Sequence, residues 1–403
     1  MIFLIAWRNL WRNRSRSFII IFSVALGMWA GAFINAVYFG MGKSRMRIAI
    51  DHEVSHIQIH HPKFGDDQEA KYSMNAESLH TVLDKQSGVR AFSLRSVASG
   101  MLATTSGSRG IRVNGVDPTS EHATRNLAGF VRQGNYLNPE QRNRVLVSTK
   151  LAEKLKLAIG NKIVVTLLDT AGAITSGAFR ICGMYQSENA PRDELNIYVV
   201  KADLDRLIGT AGRIHEAAVL LQDDGTLDQV YTDLKQTLFH LKVERWQDLS
   251  PDTDLVLSSL DTYALVFMSI ILLALSFGII NTMLMAVLER TRELGVLMAV
   301  GMNKWRIFGM VVSETVMLAI IGAPAGLLIA WLTINWLNRT GMDLSVLMGE
   351  VMRDFGYATV IYPELPWHNV IQTLELVVLA AMLAAVFPAW KALRLRPVDA
   401  IRG

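Results

Sequence analysis

Cysteine is almost missing from this chain. Cys182 is the only one among 403 residues, so no intrachain disulfide can form. A disulfide-stabilised scaffold is therefore excluded, and we do not expect thiol redox chemistry. Charged residues are also scarce, at 19% of the chain, against about 25% in ordinary soluble proteins.

Motifs for nucleotide hydrolysis are missing as well. The stretch Phe39-Gly-Met-Gly-Lys-Ser resembles the end of a phosphate-binding loop, but the full motif requires glycine where this chain has Val37, and the stretch follows an apolar run instead of a strand. The sequence shows no Ser/His/Asp or Cys/His arrangement, so we assign no catalytic residue. ATP hydrolysis is then expected only in a separate polypeptide.

The basic residues do not indicate nucleic-acid binding. The net charge is +4, but these residues flank apolar runs and form no compact basic face with interleaved aromatics. Their position is typical of residues that set membrane topology.

Long apolar runs are what the sequence has in abundance. Hydrophobic residues make up 51% of it, and about 20 apolar residues suffice to cross a bilayer. The first run is longer than the apolar part of a signal peptide and lacks a small-residue cleavage site, so we interpret it as a retained helix. The sequence predicts a membrane protein with four transmembrane α-helices, one plus three, at residues 18–42, 262–288, 306–337 and 370–390.

The first two spans enclose residues 43–261, which are numerous enough for an independent domain. Alternating apolar residues predict strands, and 3.6-residue spacing predicts helices between them. We expect a large α+β extracytoplasmic domain with an inserted strand-rich subdomain at about 101–200. Strands are expected at 144–147, 162–168, 178–184 and 196–200, and helices at 150–157 and 202–208.

A cluster of histidines early in this domain raises the question of a metal site. Ile57 and Ile59 alternate with His56 and His60, which favours a strand. Residues four apart in a strand lie about 13 Å from each other, at ~3.3 Å per residue, too far to share one ion. We predict no metal site and place both histidines on the polar face of the strand.

The distribution of charge predicts orientation, because cytoplasmic loops are enriched in lysine and arginine. Four basic residues and one acidic residue follow the last span, whereas 338–369 contains two basic and four acidic residues. An amphipathic helix at 1–17, the segment 289–305 and the tail 391–403 are therefore predicted to be cytoplasmic. Residues 43–261 and the short loop 338–369 are predicted to lie outside.

The segment 289–305, here called the coupling segment, places charges between two spans, where a soluble partner could bind it. We expect its charged residues to make polar contacts, Leu294 and Leu297 to fill a groove, and Gly295 to permit close backbone approach. The alternative is that the charges only solvate a turn and follow the positive-inside rule, although that rule does not require Glu289 and Glu293. The predicted contact residues are Glu289, Arg290, Arg292, Glu293, Leu294, Gly295, Leu297 and Met298.

Small residues and one carboxylate mark the interiors of the spans. Gly27 and Gly31, like Gly322 and Gly326, are spaced for close helix packing, either between two subunits or inside one bundle. Glu314 lies within the third span, where a carboxylate normally faces protein or water. We expect a structural partner for it, such as a basic residue near the cytoplasmic surface, since a proton relay would need further titratable groups.

Three stretches carry a resemblance to a known family: 289–307, beginning Glu-Arg-Thr-Arg-Glu-Leu-Gly; 388–402, beginning Pro-Ala-Trp-Lys; and 144–160, although Asn161 stands where the family usually has Asp. With its layout, the chain resembles the FtsX and MacB superfamily of ABC-transporter permeases, closest to the LolC/LolE-type lipoprotein-releasing permeases. The resemblance covers the full length.

The resemblance implies a bacterial inner-membrane permease that binds a cytoplasmic ABC ATPase, which supplies ATP and Mg, and pairs with a second copy or a paralogue. A periplasmic carrier or adaptor and membrane lipid are further implied partners. Lipoprotein release is favoured over MacB-like efflux, because no ATPase domain is fused here, and over FtsX-like regulation of a cell-wall hydrolase, because the outer domain is large. A membrane receptor without an ATPase is the alternative from another class.

Overall fold

The computed structural model describes residues 7, 12 and 14–394, which form two compact units. The predicted amphipathic helix at 1–17 lies mostly outside the described residues, and so does the tail from 395 onwards. One unit contains the long apolar helices. The other comprises Lys43–Leu257 together with Leu344–Thr359.

The first long helix, α1, spans Arg14–Ile48 and continues as a π-helical turn through Ala49–Val54. The second unit follows with twelve strands among its described residues. They are β1 (Ile57–His60), β2 (Met74–Asn75), β3 (Val89–Thr104), β4 (Gly107–Val116), β5 (Val131–Gly134), β6 (Arg144–Ser148), β7 (Lys162–Leu168), β8 (Ile174–Tyr185), β9 (Asn196–Val200), β10 (Arg213–Ile214), β11 (Glu216–Leu221) and β12 (Lys242–Arg245).

Short helices connect these strands. Several begin with a side-chain cap, as where Ser148 accepts the Leu151 N–H at the start of α5. The helices are α2 (Phe64–Asp67), α3 (Ala76–Lys85), α4 (Pro118–Arg125), α5 (Thr149–Lys154), α6 (Ala190–Leu195), α7 (Lys201–Ile208), α8 (Leu227–Thr237) and α9 (Trp246–Leu249).

Strand β3 organises the second unit because it belongs to two hydrophobic cores. Its first half pairs with β11, which pairs in turn with β1, and this lobe packs around residues such as Ile59 and Val219. Its second half pairs with β4 and β7 around residues such as Leu102 and Val165. The strand therefore crosses the expected boundary at about residue 101, and the strand-rich part is continuous with the rest of the sheet.

The turn after α5 shows how Asn161 serves where the family resemblance led us to expect Asp. Its side-chain oxygen accepts the backbone N–H of Ala158 at 2.8 Å. Gly160 beside it has φ +86°, a conformation that glycine adopts without strain. An amide oxygen is thus sufficient to close this turn.

The remaining elements include three more long helices. They are α10 (Pro251–Glu289), α11 (Thr291–Ala299), α12 (Lys304–Thr340), β13 (Met342–Asp343), α13 (Ser345–Asp354), β14 (Val360–Ile361) and α14 (Trp367–Leu393). Four helical stretches are long and apolar enough to cross a membrane, namely Ser17–Val54, Pro251–Glu289, Lys304–Thr340 and Trp367–Leu393. The fold is thus four apolar helices with an α/β domain between the first and the second.

All four predicted packing glycines contact helices of their own bundle. A Cβ on Gly322 or Gly326 would lie 2.9 or 2.2 Å from backbone oxygens of α1, so α12 and α1 approach almost backbone to backbone. Gly27 and Gly31 of α1 face Leu275 and Met268 of α10. The structure therefore shows packing inside one bundle, whose buried centre includes Ile279, Met283, Leu318, Ala319, Val377 and Ala381.

Candidate functional site

The coupling segment folds as a short helix between two membrane-length helices. Glu289 is the last residue of α10, and Arg290 is the N-cap position of α11. Gly301, with φ +100°, follows α11, and the Asn303 side chain then caps α12 by accepting the Trp305 N–H at 3.0 Å. With only Arg290 and the turn 300–303 as connections, α11 is directly linked to both long helices.

One face of α11 is committed to the bundle. Leu294 is only 4% exposed and belongs to the bundle core, and Gly295 is also buried. Leu297 and Met298 are half-buried and pack against the same core. The predictions that Leu294 fills a groove on a partner and that Gly295 contacts a partner are therefore wrong. Both residues are buried in the bundle, and this burial attaches α11 to the membrane-length helices.

The opposite face of α11 is exposed. It presents the charged Arg292 and Glu293 together with Val296, which is 47% exposed, and Val300 just beyond the helix, which is 83% exposed. We did not include either valine among the contact residues. The 3.6-residue period could have identified them, because residues 292, 296 and 300 recur every four positions and so share one face.

An ion pair fixes the start of α11 to α12. Arg290 Nη1 lies 3.1 Å from one carboxylate oxygen of Glu314 and 3.3 Å from the other, and the two side chains are only 11% and 9% exposed. The structure thus supplies the basic structural partner that we expected for Glu314. Moving the start of α11 away from α12 would separate the two charges and leave each without its counter-ion. The pair therefore opposes such a displacement.

A second ion pair joins Glu293 to Arg12, far apart in the sequence. The hydrogen bond from Arg12 lowers the pKa of the Glu293 carboxyl below its usual value. Both side chains are 53% exposed, so the pair contributes no more than about 1 kcal/mol to stability. It is an accessible polar contact that a binding partner can replace.

The two ion pairs border one cavity of about 580 Å³. Its walls are mostly apolar, and its charged groups converge from three places in the chain. Such a pocket suits a partner's side chain with an apolar stem and a polar end. The lining residues are Arg12, Met283, Ala286, Val287, Arg290, Arg292, Glu293, Leu294, Val296, Leu297, Met310, Val311 and Glu314.

Comparison with family models places this site in a known context. The model described as MacB-like periplasmic core domain matches residues 17–237, more than half of the chain, and the model described as FtsX-like permease C-terminal matches residues 265–397. The chain belongs to the FtsX and MacB family of ABC-transporter permeases. The coupling segment of this permease lies inside the second match.

Curated relatives of the permease agree with this assignment. An uncharacterized ABC transporter permease of Mycobacterium tuberculosis is 24% identical over 77% of this chain and 35% of its own length. A macrolide export ATP-binding/permease protein MacB of Aggregatibacter actinomycetemcomitans is 26% identical over 50% of this chain and 32% of its own length. A pyoverdine export ATP-binding/permease protein PvdT of Pseudomonas syringae is 24% identical over 98% of this chain and 58% of its own length. The permease thus spans less than two thirds of the length of each.

A buried charge cluster lies inside the α/β domain of the permease. Arg95 of β3 is fully buried and donates to Glu121 of α4 at 2.7 and 3.0 Å and to Glu216 of β11 at 2.6 Å. Arg112 of β4 donates to the other oxygen of Glu216 at 2.6 Å. Burial raises the pKa of the Glu216 carboxyl, but the facing arginines and His60 outweigh it, and the pKa is held well below its ordinary value. The cluster ties β3, β4, β11 and α4 together.

The histidines of the first strand belong to this buried polar region. His60 lies between Glu216 and Glu244, with ring nitrogens 3.6 and 3.3 Å from their oxygens, and His56 Nε2 lies 2.9 Å from Asp224. The strand is present, as the alternation predicted, but both histidines are buried instead of forming a polar outer face. Among the described residues, no group of three His, Cys, Asp or Glu side chains could hold a metal ion.

Proposed function

We propose that this permease receives force from a separate cytoplasmic ABC ATPase through α11 and transmits it along its membrane helices to the α/β domain. The observation that carries the proposal is the division of α11 into two faces. One face is held in the bundle by Leu294 and by the Arg290–Glu314 pair, whereas the other exposes Arg292, Val296 and Val300. A partner bound to the exposed face would therefore displace α10 and α12 together.

The proposal places the permease in a bacterial inner membrane, with both termini and α11 in the cytoplasm and the α/β domain outside. The charge asymmetry of the loops supports this orientation. ATP and Mg would be held by the ATPase subunit. A second permease copy or a paralogue would complete the transporter, since ABC ATPases act in pairs.

For cargo we propose lipoprotein release from the membrane, with efflux through an adaptor as the second candidate. The bundle centre of the single chain is filled by side chains such as Met283, Leu318 and Val377, which supports action through the outer domain instead of passage through the bundle. Efflux is favoured by two relatives of this chain, which are macrolide and pyoverdine export proteins. Cross-linking and mass spectrometry in native membranes distinguish a lipoprotein carrier, an adaptor and a cell-wall hydrolase.

The coupling proposal is tested with a photo-crosslinking amino acid at Val300 of the full chain in native membranes. We expect an ABC ATPase to be captured, because Val300 is 83% exposed and is the more exposed of the two valines on that face. Val346, which is 95% exposed but belongs to the other unit, is the matched control and should capture none. A correctly inserted Val300 variant that captures no ATPase would overturn the proposal.

A further inference from the structure

Helix α13, in the short connection between α12 and α14, carries an exposed apolar stripe. Leu347, Val351 and Phe355 recur every four residues, from the helix to the position just after it, and are 81%, 50% and 72% exposed. Met348 lies beside them and is 50% exposed. The stripe itself contains no charged residue, and Glu350 and Asp354 lie along one edge of it, three positions after Leu347 and Val351.

The helix is held firmly on its other side. Gly349 and Met352 are buried, and α13 packs on α6. Asp354 pairs with Lys150 of α5 at 3.3 Å, and a Cβ on Gly356 would lie 3.2 Å from the Asn189 side chain. These contacts fix the rotation of α13, so the apolar stripe is presented outward and is not a fraying end.

Covalent connectivity keeps α13 close to a membrane surface. Only residues 341–344 separate it from the end of the membrane-length helix α12, and four extended residues span less than about 15 Å. The last turns of α12 and the first turn of α14 carry the exposed Trp336 and Trp367. Tryptophan is enriched where a membrane span meets the headgroup region, so these residues mark the interface near which α13 begins.

We propose that the stripe of α13 lies in the headgroup and acyl-chain boundary of the leaflet on the same side as the α/β domain. The helix would rest in the interface while its opposite face carries α6. An apolar stripe on a short helix, near a membrane anchor, is the arrangement of interfacial helices. This inference does not depend on the proposed function, since it concerns only this chain and lipid.

A second copy of the chain is the competing occupant, and the size of the stripe argues against it. Stable protein interfaces bury about 1,200–2,000 Å² in total. A ten-residue helix with one apolar stripe provides only a small part of that area. Lipid contact, in contrast, requires no minimum area, and lipid already surrounds the membrane-length helices α12 and α14 that precede and follow α13.

The test uses the full-length protein with Cys182→Ser, reconstituted in nanodiscs of phosphatidylethanolamine and phosphatidylglycerol. Val351→Cys and Leu347→Cys each receive a nitroxide spin label, and Glu350→Cys on the neighbouring face of the same helix is the matched control. Collision with oxygen, which concentrates in lipid, is compared with collision with a water-soluble nickel chelate. Labelled protein is diluted with unlabelled protein to remove contact between labels.

We expect the oxygen-to-nickel accessibility ratio at both stripe positions to exceed that at Glu350→Cys at least fivefold. The ratio should remain the same when phosphatidylcholine replaces phosphatidylglycerol, because the stripe carries no charge. Higher nickel than oxygen accessibility at both stripe positions would overturn the proposal in favour of a solvated helix. Low accessibility to both reagents, with spin–spin broadening in undiluted samples, would overturn it in favour of a second copy.

Discussion

Arg290 and Glu314 join the loop between the second and third membrane helices to the third helix itself. The guanidinium lies 3.1 and 3.3 Å from the two carboxylate oxygens, and both side chains are mostly buried. The cation precedes α11 and the anion belongs to α12, so one contact fixes the geometry of the whole connection.

Replacing Glu314 with Leu should destabilise the bundle, because Arg290 would keep a buried charge without its main counter-ion. The expected cost is about 3–5 kcal/mol. It is measured as a loss of monodisperse protein on heating in detergent. The double variant Arg290→Met with Glu314→Leu removes both charges and should recover most of the loss. Equal heat stability of the Glu314→Leu and parent proteins would contradict the structural role of the pair.

Glu293→Arg should weaken ATPase capture more than tenfold in a pull-down from nanodiscs, while membrane insertion stays normal. Reversing a charge at a partly desolvated contact costs about 2–5 kcal/mol when it is left unpaired. Glu350→Arg, on α13, adds the same charge change elsewhere and should leave ATPase capture unchanged.

The exchange of Arg12→Glu with Glu293→Arg separates two explanations for such a loss. It restores the pair inside the permease but keeps Arg at position 293. If Glu293 contacts the ATPase directly, capture stays weak in the exchanged protein. Full recovery would show instead that Glu293 acts by holding the segment that contains Arg12.

Arg95→Met should open the α/β domain, because Glu121 and Glu216 would lose the buried cation that donates hydrogen bonds to both. Arg125 reaches these two carboxylates only at 3.9 and 3.7 Å. We expect a loss of about 3–5 kcal/mol, seen as faster hydrogen exchange of β3 and β11 amides by at least a hundredfold. Arg109→Met is the matched control, since its pair with Glu194 is 39% exposed on the arginine side and should contribute about 1 kcal/mol or less. Equal exchange rates in the two variants would refute the importance of the buried cluster.

His60 should make the domain less stable as the pH rises. Burial opposes its charged form, but Glu216 and Glu244 outweigh burial and raise its pKa. Its stabilising contribution is therefore complete below the unfolded pKa of about 6.5 and is lost as the pH rises through the higher folded pKa. Pulse proteolysis of the detergent-solubilised protein should show this loss, and His60→Gln should abolish it above pH 7.

Asp193 provides the control for that pH window. Burial raises its pKa to about 7, and the free energy of unfolding falls as pH rises between the unfolded value of about 3.9 and the folded value. The slope of that fall drops to half its maximum at about pH 7, and the fall ends about one pH unit higher. Because Asp193→Asn removes it, a loss above pH 7 that persists in this variant belongs to His60, whereas its disappearance would assign the effect to Asp193.

The proposed orientation predicts which sites react with a membrane-impermeant thiol reagent on intact cells. In a Cys182→Ser background, Phe239→Cys should be labelled from outside, because Phe239 is 84% exposed in the α/β domain, and Lys304→Cys at the start of α12 should not. Ser148 is unsuitable for this test since it is fully buried as the cap of α5. Labelling of Lys304→Cys in sealed cells would reverse the topology.

The fold class could be predicted from sequence because run length and alternation are local signals. Apolar runs of membrane length need no tertiary information, and the same is true of strands such as β7 and β9. Which residues of α11 are buried and which are exposed could also be predicted, because the apolar residues follow a helical period. We assigned Leu294 to a partner because charge, and not periodicity, guided the choice of contact residues.

The buried cluster could not be predicted in this way. Arg95, Glu121 and Glu216 come from β3, α4 and β11, and a charged residue in a strand normally indicates a solvated face. Only the pairing of β3 with β11 brings these side chains together. A basic partner for Glu314 could be expected from the sequence. That this partner is Arg290 could not, because it depends on how α11 packs.

The pairing of β1 has a consequence for biosynthesis. Ile57 pairs with Val219 and with Arg245, so the strand has both its neighbours only after about 160 to 190 further residues have been made. At ~5–20 residues per second, that interval lasts on the order of 10–40 seconds. During this time α1 can already be in the membrane while β1 exposes two unpaired edges. The nascent chain therefore presents a target for a chaperone before the second span is synthesised.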